Sequence, residues 1–565
     1  MSRLRKIRIV SQLFFLILFV SLFFFANTYP AAYTWQSEWF LRLNPLVGIL
    51  TTISARSVFL RLVILSGVIL VLSLLFGRFF CGFVCPLGAA IDGSDRYVFN
   101  KMRMRKSPPP RALQRVKYFI LIALFFMALF GVLFPLFMDP ISLFTRIFTL
   151  VVYPFEALVR ADGRQYLQPL FRVIGADELA YATVKIPLFY GGVGALILGA
   201  IVFGGGFLDK RFWCQYICPS GALFGILSRF ALFRRTTDTR ACNSCKACAG
   251  KCPTRAINKE RPEETSVAEC IVCGLCTEVR KGCTDFRFSA PSLATTTGPD
   301  VARRHVVAGV LGGAVMVPLL RADAFTKRDN TGRLIRPPGA VPEDLFGSRC
   351  IACGECMKVC PTNALQPCIL NDGFSRLYTP KLVPRIGACE EKCYSCGHVC
   401  PTGAIRELSY EQKRFVKIGT AVIDRRRCLA WEQNKECLVC DEVCPYNAIT
   451  PKYVRTTTGM FKVPVVNEDL CLGCGFCEQH CPIFDKAAIV VYKFGENRRE
   501  SGTYISKWQK ESIVEQRRRS DDELKHAYGS DDSTKTESGD LPEGFISEEN
   551  RTEKQNDLPE GFIQD

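Results

Sequence analysis

Histidine is nearly missing from this chain, with four in 565 residues. None lies in the four long apolar runs described below, so a haem held by two histidines inside a bilayer is excluded. No Cys-x-x-Cys-His occurs, which removes c-type haem attachment. No glycine-rich dinucleotide fingerprint is evident. Without a flavin or nicotinamide site, the chain lacks an obvious two-electron soluble substrate.

Cysteine is abundant instead, at 29 residues. A disulfide framework suits short secreted domains, but here the cysteines fall in tight clusters that would have to reach distant partners. Zinc ribbons use paired Cys-x2-Cys units rather than runs of four. Hydrophobic residues reach 48% and charged ones 22%, so an apolar membrane part and a polar part must coexist. From Asp521 to Asp565, 14 acidic residues face four basic ones, and the rest of the chain is strongly basic. The basic residues flank apolar runs, where the positive-inside rule explains them more simply than nucleic-acid binding.

Four apolar runs are near the roughly 20 residues that cross a bilayer: Ile9–Ala26, Val58–Gly77, Tyr118–Phe137 and Ile186–Leu208. The start carries Arg3, Arg5, Lys6 and Arg8, and the loop after the second run carries Arg96, Lys101, Arg103, Arg105, Lys106, Arg111 and Arg115. Both are therefore expected in the cytoplasm. Pro140–Arg160 holds Arg146, Pro154 and Glu156 and is expected to be interfacial, on the outer side. Asp139, Arg146 and Glu156 are ionisable groups near that membrane edge. A weaker run, His305–Leu320, follows Arg303-Arg304. It reads as a further span or a twin-arginine export signal, with Ala322-Asp323-Ala324 after it.

Six cysteine runs follow. They are Cys242, Cys245, Cys248 and Cys252; Cys270, Cys273, Cys276 and Cys283; Cys350, Cys353, Cys356 and Cys360; Cys389, Cys393, Cys396 and Cys400; Cys428, Cys437, Cys440 and Cys444; and Cys471, Cys474, Cys477 and Cys481. In five of them proline follows the last cysteine. A cubane presents four iron corners, each needing one thiolate. A loop with a cysteine at every third residue wraps three corners, and the fourth cysteine serves the other cluster of a pair. Cys283 is thus expected with Cys242, Cys245 and Cys248, and Cys252 with Cys270, Cys273 and Cys276. The irregular fourth and fifth runs are expected to pair, leaving the third with the sixth. Phrases such as Thr362-Asn-Ala-Leu365 and Tyr446-Asn-Ala-Ile449 repeat after Cys-Pro and predict a short strand after each loop. Cys368 is left over as a buried structural thiol. His398 and His480 lie in cluster loops.

Two more pairs, Cys81-x3-Cys85-Pro86 and Cys214-x3-Cys218-Pro219, each follow an apolar run. Their spacing puts both thiols of a pair on one helical face. Together they offer four thiolates, enough for one metal or cluster, or for two redox pairs. The acidic end carries an identical repeat, Asp540–Ile546 and Asp557–Ile563, which could act as a bivalent docking motif.

The span and Cys-x3-Cys-Pro pattern followed by two cubane runs resembles the NapH membrane ferredoxin family, over residues 1 to about 290. From Arg303 to about 497 the chain resembles NapG, a four-cluster protein with an Arg-Arg signal. The whole is similar to a fusion of the two. That resemblance implies a quinol dehydrogenase component feeding a periplasmic reductase. The expected fold is an α-helical membrane domain plus α+β bacterial-type ferredoxin domains. The expected division is a membrane domain at 1–235, a two-cluster domain at 236–292, a fifth span or signal at 300–324, a four-cluster domain at 340–497 and an acidic, disordered tail at 498–565. Six [4Fe–4S] clusters are expected. The expected partners are the quinone pool and a periplasmic reductase or c-type cytochrome, with no nucleic acid. The expected location is the inner membrane, with the four-cluster domain periplasmic. Other readings are a maturation factor for a metalloenzyme and a cytoplasmic ferredoxin-to-quinone conduit.

Overall fold

The computed structural model describes residues 2–25, 38–99, 109–133, 138–173, 186–238, 240–280, 282–289, 303–322, 332–456 and 459–505. The acidic repeats, the Asp323-Ala324 end of the export motif and the basic residues 101–106 lie outside them.

Apolar residues without a central break give helix α1, Arg3–Phe25, which at 1.5 Å per residue is about 35 Å long. Among the described residues, four helices are long and apolar enough to cross a membrane: Arg3–Phe25, Arg111–Leu129, Pro140–Gly163 and Arg303–Arg321. The protein is a multi-pass membrane protein. Two expected spans are shorter than expected, forming α3 (Leu60–Phe76) and α7 (Gly192–Gly204).

The segment expected to be interfacial forms a long helix, α6. It starts as Pro140–Ile147, passes through a π-helical turn at Phe148–Val152, and continues from Tyr153. Both Arg146 and Pro154 lie within it. Arg146 is buried, donates from Nε to the Ala352 carbonyl (2.8 Å) and lies over the Tyr378 ring. Pro154 follows a turn in which the hydrogen-bond ladder is already irregular, so its missing N–H breaks little.

Four helices start inside the bundle: α2 (Pro45–Ala55), α4 (Pro86–Ser94), α6, and α8 (Pro219–Leu227). Each has proline at its first position, where no N–H is needed. Their caps are Asn44, Cys85, Asp139 and Cys218, and each side chain accepts from a backbone N–H of its own first turn. Helix α5 (Val116–Leu129) lies beside α9 (Arg303–Arg321). Gly309 of α9 meets Ile122 so closely that a Cβ would clash, and Gly313 leaves only a tight fit beside Ala123 and Phe126.

The two polar modules sit at opposite ends of this bundle. Near the start of α1, Arg5 pairs with Glu278 (2.6 Å). At its other end, the Lys358 ammonium lies 4.3 Å from the Phe23 ring centre. Helix α3 repeats the arrangement in reverse: Phe59 meets Gly403 and Phe76 meets Phe233 and Phe288. The first module is closed by the antiparallel pair β1 (Phe233–Thr237) and β2 (Thr284–Phe288). The second contains three antiparallel pairs: β3 (Leu365–Pro367) with β4 (Pro380–Leu382), β5 (Thr420–Ile423) with β8 (Ile489–Tyr492), and β6 (Ile449–Thr456) with β7 (Gly459–Val466). After the Cys-Pro turns the chain does go extended, as strands at Leu365, Ile449 and Ile489 and as single bridges at Ile257 and Ile405.

Candidate iron–sulfur sites

Four of the five Cys-Pro turns in these runs are followed by a residue in the left-handed region, Arg255, Asn363, Gly403 and Asn447, and the turn at Cys481-Pro482 is not. That twist aims later backbone N–H groups back at the sulfur. Ala256 donates to Cys252 (3.3 Å), Ile405 to Cys400, Ala448 to Cys444 and Ala488 to Cys481 (each 3.4 Å). Such donors stabilise a thiolate, which is the form that binds iron.

In the first module, Cys252 lies beside Cys270, Cys273 and Cys276, and Cys283 lies beside Cys242 and Cys248. Cys245 is exposed in the same loop. Arg235 donates to the Cys248 sulfur at 3.8 Å.

In the second module, Cys400 lies beside Cys350, Cys353 and Cys356, and Cys360 lies beside Cys389, Cys393 and Cys396. Cys444 joins Cys471, Cys474 and Cys477, while Cys481 lines one cavity with Cys428, Cys437 and Cys440. Run three therefore pairs with run four, and run five with run six. The expected nesting, third with sixth and fourth with fifth, is overturned. Regular spacing does not choose the partner; the short β3–β4 hairpin does, because it folds run four directly back onto run three.

Cys368 is fully buried, with the Arg336 guanidinium 3.8 Å from its sulfur. His398 Nδ1 meets the Glu407 carboxylate (2.9 Å), and His480 Nδ1 the Phe476 carbonyl (3.0 Å); neither lies against a sulfur in these contacts. Lys413 is a buried cation that the sequence did not single out. It reaches the Cys389 sulfur and lies close to Cys474. Burial pushes the Cys350 thiol up to about 12 and the Cys353 and Cys356 thiols well above their ordinary value, so these three stay protonated when bare. Iron is the partner that makes such buried sulfurs anionic.

The Cys-x3-Cys-Pro pairs converge as well. Cys81, Cys85, Cys214 and Cys218 lie close to one another, Cys85 and Cys218 fully within the bundle. The two halves brace each other. Arg211, three residues before Cys214, donates to the Cys81 carbonyl (3.0 Å) and to Asp92 Oδ1 (2.6 Å). Arg78, three residues before Cys81, lies against Gly221 and pairs with Glu269 (2.8 Å). Among the described residues, no three His, Cys, Asp or Glu side chains close around a single ion.

These features define a membrane protein with several [4Fe–4S]-binding segments. A family model described as a 4Fe-4S binding domain matches residues 58–106, 190–238 and 396–418. A 4Fe-4S dicluster domain matches 435–484, and a further 4Fe-4S binding domain 347–366. The ferredoxin-type protein NapG of Escherichia coli K12 is 38% identical over 207 residues, covering 35% of this chain and 87% of that protein. The methylamine utilization ferredoxin-type protein MauM of Methylophilus methylotrophus is 34% identical over 185 residues, 32% of this chain and 80% of that protein. MauM of Paracoccus denitrificans is 35% identical over 198 residues, 34% of this chain and 83% of that protein. The chain belongs to the NapG/MauM ferredoxin-type proteins and is an electron-transfer ferredoxin with membrane helices.

Proposed function

We propose that this chain takes electrons from quinol in the membrane and passes them through six [4Fe–4S] clusters to a periplasmic reductase or c-type cytochrome. The observation that carries this reading is the placement of two cysteine-rich modules at opposite ends of one apolar bundle, spanned by α1 from Arg5–Glu278 to Phe23–Lys358. The basic start of α1 favours the cytoplasm for the first module by the positive-inside rule, which supports the periplasmic side for the second. A conduit with all its clusters on the inner face does not fit that separation. The likeness to NapG supports a respiratory partner.

The ligand sets follow from the pairing. In the first module they are Cys242, Cys245, Cys248 with Cys283, and Cys270, Cys273, Cys276 with Cys252. In the second they are Cys350, Cys353, Cys356 with Cys400; Cys389, Cys393, Cys396 with Cys360; Cys428, Cys437, Cys440 with Cys481; and Cys471, Cys474, Cys477 with Cys444. A cluster so held supplies one-electron storage. The protein's part is to bury it, donate N–H groups to its sulfurs and space it from the next.

The test is quinol-driven reduction of the anaerobically purified protein in liposomes. Bleaching of the visible cluster absorbance by a menaquinol or ubiquinol analogue supports the reading. Clusters reduced by dithionite but never by either quinol would refute it. A reporter fused after Gly495 checks sidedness, since activity confined to the cytoplasm contradicts a periplasmic second module.

A further inference from the structure

The bundle places four helix beginnings at one buried point. Asn44, Cys85, Asp139 and Cys218 are the caps of α2, α4, α6 and α8. Asn44 donates to the Asp139 carboxylate and to Ser220 Oγ, and Ser220 Oγ donates to Asp139 Oδ1 at 2.7 Å. Helix α4 packs on α6, and α8 on α2, so the halves interlock. Four positive dipole ends therefore face one region of low dielectric. Arg8, Arg78, Lys117 and Arg211 lie around the site, with the carboxylates of Asp92, Asp95, Asp139 and Glu269 among them.

The four thiols stand at that point. We infer that Cys81, Cys85, Cys214 and Cys218 together hold one iron–sulfur centre within the membrane domain, a seventh centre that links the two modules. The inference rests on the six-cluster reading above. Either Cys-x3-Cys-Pro segment alone supplies only two ligands; the interlocked halves supply four. Bound iron–sulfide with four thiolates is a net anion, which the four helix beginnings stabilise.

Its position explains why it would be needed. Arg8 of α1 donates to the Gly82 carbonyl (3.2 Å) and Ser11 to the Phe83 carbonyl (3.1 Å). The second module meets α1 at Phe23, 15 residues and roughly 22 Å farther along than Arg8. On the inner side, the Cys81–Cys85 turn touches the loop of Cys270–Cys276. A Cβ on Gly82 would come within 2.5 Å of the Ile271 carbonyl. On the outer side, α6 runs from the Asp139 cap to Arg146 and Thr149, which touch Ala352 and Gly354 of the loop of Cys350–Cys356. The four thiols are thus the stepping stone between the two loops. One electron enters from a reduced centre on one side and leaves to an oxidised centre on the other. No bond is made or broken.

The test compares the full-length protein, purified anaerobically, with a variant carrying serine at all four positions. Serine keeps the Cys85 and Cys218 caps, because its oxygen also accepts from the first turn. Wild type is expected to hold two to four iron atoms beyond the roughly 24 of six cubanes. The variant is expected to lose only that excess, with matching sulfide, while the paramagnetic resonance signals of both modules persist and certify folding. In liposomes, with an impermeant reductant on one side, electron arrival in the far module should slow by more than an order of magnitude. If the four-serine protein does not accumulate, the pair Cys85→Ser with Cys218→Ser is read in the same way. Unchanged iron content, zinc in place of iron, or unchanged transfer between modules would overturn the inference. Missing ferredoxin signals in the wild type would remove the six-cluster reading itself, and the centre with it.

Discussion

The backbone N–H of Cys389 donates to the carbonyl of Cys474 at 2.8 Å, tying the loop of one cysteine pair to the loop of the next. The Lys413 side chain is buried at the same junction, reaching Cys389 and lying close to Cys474. A buried cation favours the reduced, more negative state of any cluster held there. At about 5–6 Å and an effective dielectric of about 20, one charge is worth about 3 kcal/mol, or roughly 100 mV for one electron. Lys413→Met is therefore expected to lower the midpoint potentials of two clusters by on the order of 100 mV, leaving the others in place. Redox titration followed by paramagnetic resonance reads this; no shift would mean the ammonium faces solvent in the loaded protein.

Docking of the first module hangs on Glu269. Its carboxylate takes Arg78 (2.8 Å), Lys117 (2.5 Å) and the Tyr118 hydroxyl (3.2 Å), with both cations fully buried. Removing one partner of such a group strands buried charge, which costs about 3–5 kcal/mol. Glu269→Gln should loosen the module from the bundle and raise hydrogen exchange over residues 240–289. The more accessible pair Arg5–Glu278 is the control, because Glu278→Gln should cost under about 1 kcal/mol. Equal effects of the two substitutions would place the docking energy elsewhere.

The cysteine runs announce the sites because thiolate spacing is local chemistry, and local chemistry is written in adjacent residues. What they cannot announce is which run folds onto which. That depends on the β3–β4 hairpin and on the left-handed turns at Asn363, Gly403 and Asn447. The Asn and Gly of those repeated phrases were the available signal for the turn. In the membrane part, hydropathy located the runs but missed that Asn44-Pro45 and Asp139-Pro140 start helices inside the bundle. The same cap-then-proline arrangement stands at Cys85-Pro86 and Cys218-Pro219, so the pattern was legible once all four were compared. The partners of Arg146, Ala352 and Tyr378, were not legible because they come from more than 200 residues away.

Acid should weaken the second module through Glu343. Burial alone would raise its carboxyl, but Arg336 beside it (2.6 Å), with Arg498 (2.8 Å), more than offsets that and holds it well below the usual carboxylate range. A folded-state value below the unfolded one means stability that is present above about pH 4.3 and lost as pH falls further. The wild type should therefore lose resistance to denaturant between pH 5 and pH 3, followed by bleaching of cluster absorbance. Glu343→Gln should be weaker at pH 7 by about 3 kcal/mol and show a flatter profile in that window. A variant with the wild-type slope would show that other carboxylates govern acid stability.

Cross-ligation can be read from which cluster disappears. Cys400 stands in run four but lies beside Cys350, Cys353 and Cys356, while Cys360 stands in run three but lies beside Cys389, Cys393 and Cys396. Cys400→Ser should therefore remove or convert the same paramagnetic component as Cys353→Ser, and Cys360→Ser the same component as Cys393→Ser. Serine is a poorer iron ligand than a thiolate, so a shifted potential or a three-iron signal is the expected form of the change. If each loop instead served its own fourth cysteine, Cys400→Ser would match Cys393→Ser. The two outcomes differ in which spectra coincide, so overlapping signals from the other clusters do not blur the answer.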